Sequence, residues 1–189
     1  MSAKILDVHF VHEGWSRFGI AKVRLADGAE VTREIEDHGN SVGVLPYDPD
    51  RRVAVLVREL RVPALYTAGS QMQLEAPAGI VDDGTPEENA RREVLEEVGL
   101  RLHELEPVGT TYSCAGISTE RIHLFLAAYG NGDRVGRGGG APGEHENIKV
   151  VEMSLHELGG LVDRGELTDL KTLALALALR SRHPDLFRP

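Results

Sequence analysis

Residues 78–100 read AGIVDDGTPEENARREVLEEVGL, and this stretch predicts a helix with clear signals at both ends. Thr85 and Glu88 have the spacing of a capping box, and Pro86 falls at the first helical position, where proline is favoured. Gly99 offers the left-handed residue that commonly follows the last turn of a helix. The helix is therefore expected to lie between Thr85 and Gly99.

Acidic residues crowd the second half of this predicted helix. Glu93 and Glu97 are four residues apart and project from one face, with Glu96 beside them. Carboxylates near a helix C-terminus oppose the helix dipole, so a nearby cation is expected. Clustered carboxylate oxygens are suitable ligands for Mg²⁺. The alternative is a solvated acidic face paired with Arg91 and Arg92, because glutamate is a good helix former.

The order of these residues resembles the box of the Nudix hydrolase family. Residues 92–100, REVLEEVGL, match the core REUxEExGU, where U is a bulky aliphatic residue, and Gly79 precedes the core at a suitable distance. The box is one residue shorter than the full pattern, with Gly84 and Thr85 where the family has a glutamate. This shortened box is similar to that of the GDP-mannose pyrophosphatase subgroup. Other segments that follow the order of this subgroup are HGNSVGVLPYD, VRELRVPA, LEAPAGIVDDG, EHENIKVVEM and GELTDLKT.

Alternating apolar residues and turn signals predict the remaining elements. Around a turn at Asp27 and Gly28, residues 3–36 are expected to form an antiparallel N-terminal sheet. A short helix capped by Ser154 and Glu157 should precede a longer, buried helix. The other strands are expected at 41–47, 53–60, 71–76, 107–112, 121–128 and 148–153, and the longer helix at 170–181.

Strands interleaved with few helices indicate an α/β (α+β) fold with a mixed β-sheet sandwiched between helices. The Nudix resemblance implies the same architecture. Two parts of the chain are expected. Residues 1–38 would form an N-terminal β extension used in dimerisation, and residues 39–189 the Nudix catalytic domain.

The resemblance further implies a metal centre with catalytic residues around it. The metal ligands would be Glu93, Glu97, Glu146 and the carbonyl oxygen of Ala78. The catalytic residues would be Glu96, Glu97, Arg92 and Glu146. Glu144 is the alternative to Glu146 as general base. Without the resemblance, residues 143–147 would be interpreted as a surface loop with incidental acids.

Residues that contact the substrate are also implied by the resemblance. Arg61 would contact phosphate, since a guanidinium can form two parallel hydrogen bonds to it. Read without the resemblance, Arg61 is a surface arginine and Trp15 a core or dimer-interface residue. The full implied set is Trp15 stacking on the base, Arg33 and Glu34 near the base, Arg61 and Gly79 at the diphosphate, Glu120 on the sugar and Lys171 near the second half of the substrate.

Glycines and cysteine give weaker signals. The glycine-rich run over residues 130–140 predicts a flexible stretch that closes over substrate. It is not a nucleotide P-loop, because no Gly-Lys-Ser/Thr follows it. Cys114 lacks a His or Asn partner pattern, so it is interpreted as an inert, buried group. The eight histidines lack the spacing of a structural zinc site.

Composition limits the classes of function. The chain has 189 residues and a hydrophobic content of 41%, enough for one domain with a sizeable core. Its formal net charge of −9 argues against nucleic acid or an anionic membrane as a partner. The single cysteine fits a reducing cytoplasm, and no apolar segment predicts export or membrane insertion.

The expected function is metal-dependent hydrolysis of the pyrophosphate bond of a nucleoside diphosphate sugar. The resemblance implies GDP-mannose as substrate, with GMP and mannose 1-phosphate as products, and Mg²⁺ or Mn²⁺ as the ion. ADP-ribose or an ADP-sugar is the alternative substrate, and a non-catalytic Nudix module that binds a nucleotide is the alternative of another class. The resemblance also implies a homodimer in which the N-terminal strands bring Trp15, Arg33 and Glu34 to the partner's site.

Overall fold

The computed structural model describes residues 2–69, 72–140 and 147–188. The chain divides into two compact units. The first contains residues 1–40 together with 112–121, and the second contains residues 41–111 and 122–189. We call them the N-terminal unit and the larger unit and describe each by itself.

The N-terminal unit is built on an antiparallel sheet in the order β1-β2-β3. Its strands are β1 (Lys4–Glu13), β2 (Arg17–Arg24) and β3 (Glu30–Asp37). At the predicted turn between β2 and β3, the Asp27 carboxylate accepts a hydrogen bond from the amide of Ala29, at 3.0 Å. Residues 112–121 belong to this unit through a parallel bridge between Glu36 and Ser118. The predicted N-terminal sheet is therefore confirmed.

The larger unit contains a mixed sheet in the order β10-β5-β4-β9-β8. Strand β4 runs parallel to β9 and antiparallel to β5, and the short strands β6 and β7 pair with β5 and β4. The bounds are β4 (Ser41–Asp48), β5 (Val53–Glu59), β6 (Gln73–Glu75), β7 (Ala78–Ile80), β8 (Glu106–Tyr112), β9 (Arg121–Ala128) and β10 (Lys149–Ser154).

Helices cover both faces of this sheet. They are α1 (Val62–Ala68), α2 (Pro86–Val98), α3 (Leu155–Arg164) and α4 (Leu170–Arg182), followed by a 3₁₀ turn at Pro184–Phe187. Successive side chains of a strand point to opposite faces. On β5, Val55 and Val57 accordingly join the apolar cluster that contains α2, whereas Leu56 joins the cluster that contains α3 and α4. The predicted mixed sheet sandwiched between helices is confirmed.

Three elements differ from the prediction. Helix α1 and strand β7 were not predicted, and α1 buries none of its side chains, so no apolar periodicity marked it. Helix α4 is buried along one face rather than all round, since Leu170 and Leu177 are exposed. Within the described residues, no helix combines the length and apolar character needed to cross a membrane.

Candidate active site

Helix α2 has the ends that its sequence predicts. The Thr85 hydroxyl accepts a hydrogen bond from the amide of Glu88 at 3.2 Å, and the Glu88 carboxylate accepts one from the amide of Thr85 at 2.7 Å. At the other end Gly99 adopts a left-handed φ of 69° and its amide bonds to the carbonyl of Leu95. The acidic residues therefore lie in the last two turns, as expected.

Glu97 is a buried carboxylate with only 3% of its surface exposed. Its Oε2 accepts a hydrogen bond from the amide of Ala78 in β7, at 3.2 Å. Glu93 is also largely shielded, whereas Glu96 is partly exposed. A solvated acidic face does not describe this helix, because two of its acids are directed into the protein. The structure brings Ala78, Glu93 and Glu97 together.

Gly79 allows this close approach of helix and strand. A Cβ atom built on Gly79 would overlap the carboxylate of Glu93. A residue without a side chain is needed wherever another group comes so close to the backbone. The glycine that opens the box thus leaves the space that the Glu93 carboxylate occupies.

Arg92 connects the acids of the helix to the loop before it. Its guanidinium lies 2.8 Å from Glu93, 3.2 Å from Glu96 and 3.4 Å from Asp82. It also donates to the Asn89 side chain at 2.9 Å. Asp82 and Asn89 therefore supply acceptors to Arg92 in a box that lacks the usual glutamate. Neither residue was singled out from the sequence.

The donor set suits a hard divalent cation, because carboxylate and carbonyl oxygens are the ligands that Mg²⁺ prefers. Buried Glu97 and the space at Gly79 that holds the Glu93 carboxylate are the features that fit such an ion. Within residues 2–69, 72–140 and 147–188, no three acidic, histidine or cysteine side chains converge on one point. The predicted ligand Glu146 and the alternative base Glu144 lie outside the described residues.

The glycine-rich segment is hydrogen-bonded to the end of helix α2, and its closure over substrate stays a prediction. The amide of Gly139 donates to the Glu97 carbonyl at 2.8 Å, and the amide of Gly140 donates to the Glu96 carbonyl at 3.2 Å. Arg134 donates to the Val98 carbonyl at 3.1 Å. These donors satisfy carbonyl groups that every helix end leaves open. Arg134 also supplies a cation expected near this end.

A network of buried charge surrounds Arg61 and Lys171. Arg61 forms two hydrogen bonds to Glu75, at 2.9 and 3.0 Å, and lies 2.8 Å from Glu59. Lys171 contacts Glu75 and lies 3.0 Å from Asp169. Arg61 is therefore part of an organised charge network rather than an isolated surface arginine. Glu75 is 2% exposed and was missed, although an acid inside the apolar run LEAPAG is a recognisable signal.

Electrostatics keeps this network ionised. Burial alone would raise the pKa of Glu75, but the Arg61 hydrogen bond and the Lys171 charge outweigh it and hold that pKa below its ordinary value. Burial alone would lower the pKa of Arg61, but the negative charges of Glu75, Glu59 and Glu97 outweigh burial and hold that pKa above its ordinary value. Arg61 therefore responds to the charge of the acid on helix α2.

The N-terminal unit holds the predicted base and sugar contacts. Arg33 and Glu34 line an open depression of about 360 Å³ together with Ile20, Thr32, Gly116 and Ile117. Trp15 is 76% exposed, so it is not a core residue. Its indole stacks on His38 with ring centroids 4.9 Å apart, and Glu120 lies 3.5 Å from the same imidazole. His38 was not singled out from the sequence.

Cys114 is exposed, so the expectation of a buried cysteine was wrong. Its backbone explains the position. The Cys114 carbonyl accepts hydrogen bonds from the amides of Ile117 and Ser118, at 3.0 and 2.8 Å. The residue therefore starts a tight turn at the surface, where its side chain has no core to enter.

Comparison with known proteins gives consistent matches. The family described as NUDIX domain matches residues 37–176. GDP-mannose pyrophosphatase of Cronobacter sakazakii is 40% identical over 152 residues, which cover 79% of this chain and 78% of that protein. The proteins of the same name from Salmonella typhimurium and Escherichia coli K12 are 37% and 34% identical, each over 80% of this chain and 78% of the relative.

A solved structure gives the same fold. The crystal structure of an ADP compounds hydrolase superposes with a TM-score of 0.79 and covers 100% of this chain and 98% of that one. Its sequence identity is 18%, so the likeness concerns the fold alone.

Proposed function

The chain belongs to the Nudix family, and from this membership we propose that it hydrolyses the pyrophosphate bond of GDP-mannose in a reaction that depends on a divalent metal ion. Water attacks one phosphorus atom, a new P–O bond forms, and the bond from that phosphorus to the bridging oxygen breaks. The bridging oxygen leaves with the other phosphate. The products are GMP and mannose 1-phosphate, and both protons of the water are released once the two phosphate monoesters are fully ionised.

The observation that carries this proposal is the buried carboxylate of Glu97 on helix α2 of a Nudix fold. It accepts a hydrogen bond from the amide of Ala78. Taking a carboxylate out of water is costly unless a cation or donors compensate it. A catalytic ligand gains from such a position because the protein fixes its orientation before substrate arrives. The names of the relatives support GDP-mannose as the substrate.

The ion is Mg²⁺, with Mn²⁺ as a possible substitute. Its ligands would be Glu93, Glu97, Glu146 and the carbonyl oxygen of Ala78. When bound, a divalent ion neutralises charge on the diphosphate and makes a bound water more acidic. Arg92 is proposed to orient the acids of the helix, because its guanidinium already contacts Glu93 and Glu96.

Charged side chains account for most of the remaining roles, which are substrate binding and general base catalysis. Arg61 is proposed to contact phosphate and Lys171 to lie near the second half of the substrate, and both cations pair with Glu75. Glu146 is proposed as the general base and Glu96 as a member of the catalytic cluster. The base and the sugar are proposed to contact Trp15, Arg33, Glu34 and Glu120, and Gly79 is proposed to lie at the diphosphate.

A panel of nucleotide sugars tests the proposal. GDP-mannose, other GDP-sugars, ADP-ribose and ADP-sugars are each incubated with Mg²⁺, and the phosphate-ester products are separated. We expect the highest kcat/KM for GDP-mannose and loss of turnover in EDTA. A preference for ADP-ribose would replace the substrate, and binding without any turnover would identify a non-catalytic module.

A further inference from the structure

His38 lies between two carboxylates of the N-terminal unit. Its Nδ1 is 2.7 Å from Oε1 of Glu36, and its Nε2 is 3.5 Å from Oε1 of Glu120. All three side chains are largely shielded from water. The first distance is that of a strong hydrogen bond, and the second is that of an ion pair.

The face of the same imidazole supports the indole of Trp15. The centroids of the two rings are 4.9 Å apart, and the ring planes make an angle of 21°. Trp15 is nevertheless 76% exposed, so most of the indole remains available to a ligand. One histidine therefore contacts both an exposed aromatic platform and a shielded acid.

The backbone around Glu120 is fixed independently of His38. The Ser118 hydroxyl donates to Glu36 at 2.8 Å and accepts a hydrogen bond from the amide of Glu120 at 3.1 Å. The amide of Thr119 also donates to the Glu36 carbonyl, at 2.9 Å. Loss of the imidazole should therefore remove the ring's contacts to Glu120 and Trp15 and leave the loop in place.

We propose that His38 is a positioning residue, which in its doubly protonated form fixes Trp15 and Glu120 as one surface for the base and sugar of the substrate. This inference rests on the proposed function, which places the base on Trp15 and the sugar on Glu120. His38 itself touches neither part of the substrate. It acts through the two side chains that it holds.

The charge state of His38 decides whether this arrangement holds. An imidazolium has N–H groups on both nitrogens, whereas a neutral imidazole has one. When the ring loses a proton, one of the two carboxylates faces a lone pair instead of a donor. The close contact to Glu36 keeps the remaining N–H, so the longer contact between the ring and Glu120 is the one that loses its donor.

The charged groups that face His38 favour the protonated form. Burial alone would lower its pKa, but the hydrogen bond and charge of Glu36, with the charge of Glu120, raise the pKa above the ordinary value of 6.5. The surface should therefore be intact below this raised pKa and loosen as pH rises through it.

Fluorescence tests the geometry without any substrate. Trp15 is the single tryptophan of the chain, so its emission reports on the ring stacked against it. We expect the emission of the free protein to titrate with a midpoint above pH 6.5 and the titration to vanish in His38→Asn. His103→Asn is the matched control, because His103 is an exposed histidine next to one carboxylate, Asp133. A titration that survives in His38→Asn would overturn the stacking.

Calorimetric binding of GDP-mannose in EDTA tests the positioning without turnover. We expect the wild-type dissociation constant to rise about fivefold between about pH 6 and about pH 8.5, because one charge-assisted contact is lost. His38→Asn, which retains a donor near the Nδ1 position, should bind weakly at every pH. His38→Gln retains a donor near the former Nε2 position, which faces Glu120. This variant should recover most of the affinity for GDP-mannose and show no pH dependence.

The failures of the two proposals are distinguishable. If the wild type neither binds nor hydrolyses GDP-mannose, the proposed function is wrong, and the positioning role that rests on it is wrong with it. If the wild type binds and His38→Asn binds equally well at every pH, only the role of His38 is overturned. Equal melting temperatures of the variants would show that affinity, not folding, has changed.

Discussion

Glu97 combines burial with a backbone contact to Ala78, so its charge and its shape can be separated by substitution. Glu97→Gln keeps the volume and removes the charge. We expect turnover to fall on the order of 10³-fold with little loss of stability, because charge stabilisation acts on the reaction barrier. Glu87→Gln, an exposed residue of the same helix, is the control and should keep wild-type turnover in the GDP-mannose assay. A near-normal rate for Glu97→Gln would refute the role of Glu97.

Gly79 gives rise to a second prediction, because its missing side chain leaves the space that the Glu93 carboxylate occupies. In Gly79→Ala the new methyl group would displace the flexible end of Glu93, and the backbone need not move. We therefore expect kcat to fall at least about tenfold while the free energy of unfolding changes by about 1 kcal/mol or less. Gly109→Ala is the control, because a Cβ atom there meets no neighbour within 4 Å. Equal activity of the two variants would contradict this reading.

At the scale of elements, the glycine-rich segment and helix α2 form one assembly. A Cβ atom on Gly138 would overlap the backbone of Glu97, and Gly138 has a left-handed φ of 69°. Gly138→Ala should therefore lower stability by about 2 kcal/mol or more and reduce kcat, because the helix end that carries Glu96 and Glu97 must shift. Thermal unfolding and turnover well below the melting temperature measure the two effects.

Gly139→Ala provides the control for this element. It has a φ of 114° but no neighbour within 4 Å of an added Cβ atom, so it introduces backbone strain without the overlap. We expect it to lose stability and to retain turnover. If both variants lose turnover equally, the segment does not position the helix.

At the scale of the whole molecule, Glu75 should account for part of the fall in the free energy of unfolding at acid pH. Its folded-state pKa lies below the ordinary value of 4.5, so its contribution to stability is complete above pH 4.5 and is lost as pH falls through the lower, folded-state pKa. Glu75→Gln should cost about 2 kcal/mol or more at neutral pH, since Arg61 and Lys171 lose a buried partner, and should flatten the acid limb. Urea unfolding measured as a function of pH checks this. Glu104→Gln removes an exposed acid and should leave the acid limb unchanged.

A homodimer through the N-terminal sheet is the second prediction for the whole molecule. Apolar side chains on this sheet are exposed, including Ile5 and Val11. Val11→Lys should weaken association and lower turnover, because a charge at an apolar interface is costly. Leu177→Lys places the same charge on an exposed apolar position of α4 and should leave the dimer intact. Light scattering that shows a fully active wild-type monomer would end this proposal.

Local chemistry explains how much could be predicted from the sequence. Helix α2 was predicted with its bounds because capping and termination depend on residues within a few positions, such as Thr85, Glu88 and Gly99. The main strands followed from alternation, which has a period of two residues. Helix α1 was missed because it buries no side chain and so leaves no periodic signal.

By itself, the sequence determined the Nudix family, the mixed architecture and the acids of the box helix, because each follows from residue patterns within short segments of the chain. The tertiary structure alone decided which distant groups pair with the buried charges, whereas Arg92, which contacts Glu93 and Glu96, is their neighbour in the sequence. Glu75 meets Lys171 across 96 positions of the chain, and Glu36 meets Ser118 across 82. Such contacts depend on how strands and helices pack, and no local spacing encodes them. For the same reason His38 emerged only when the fold brought Trp15, Glu36 and Glu120 around one ring.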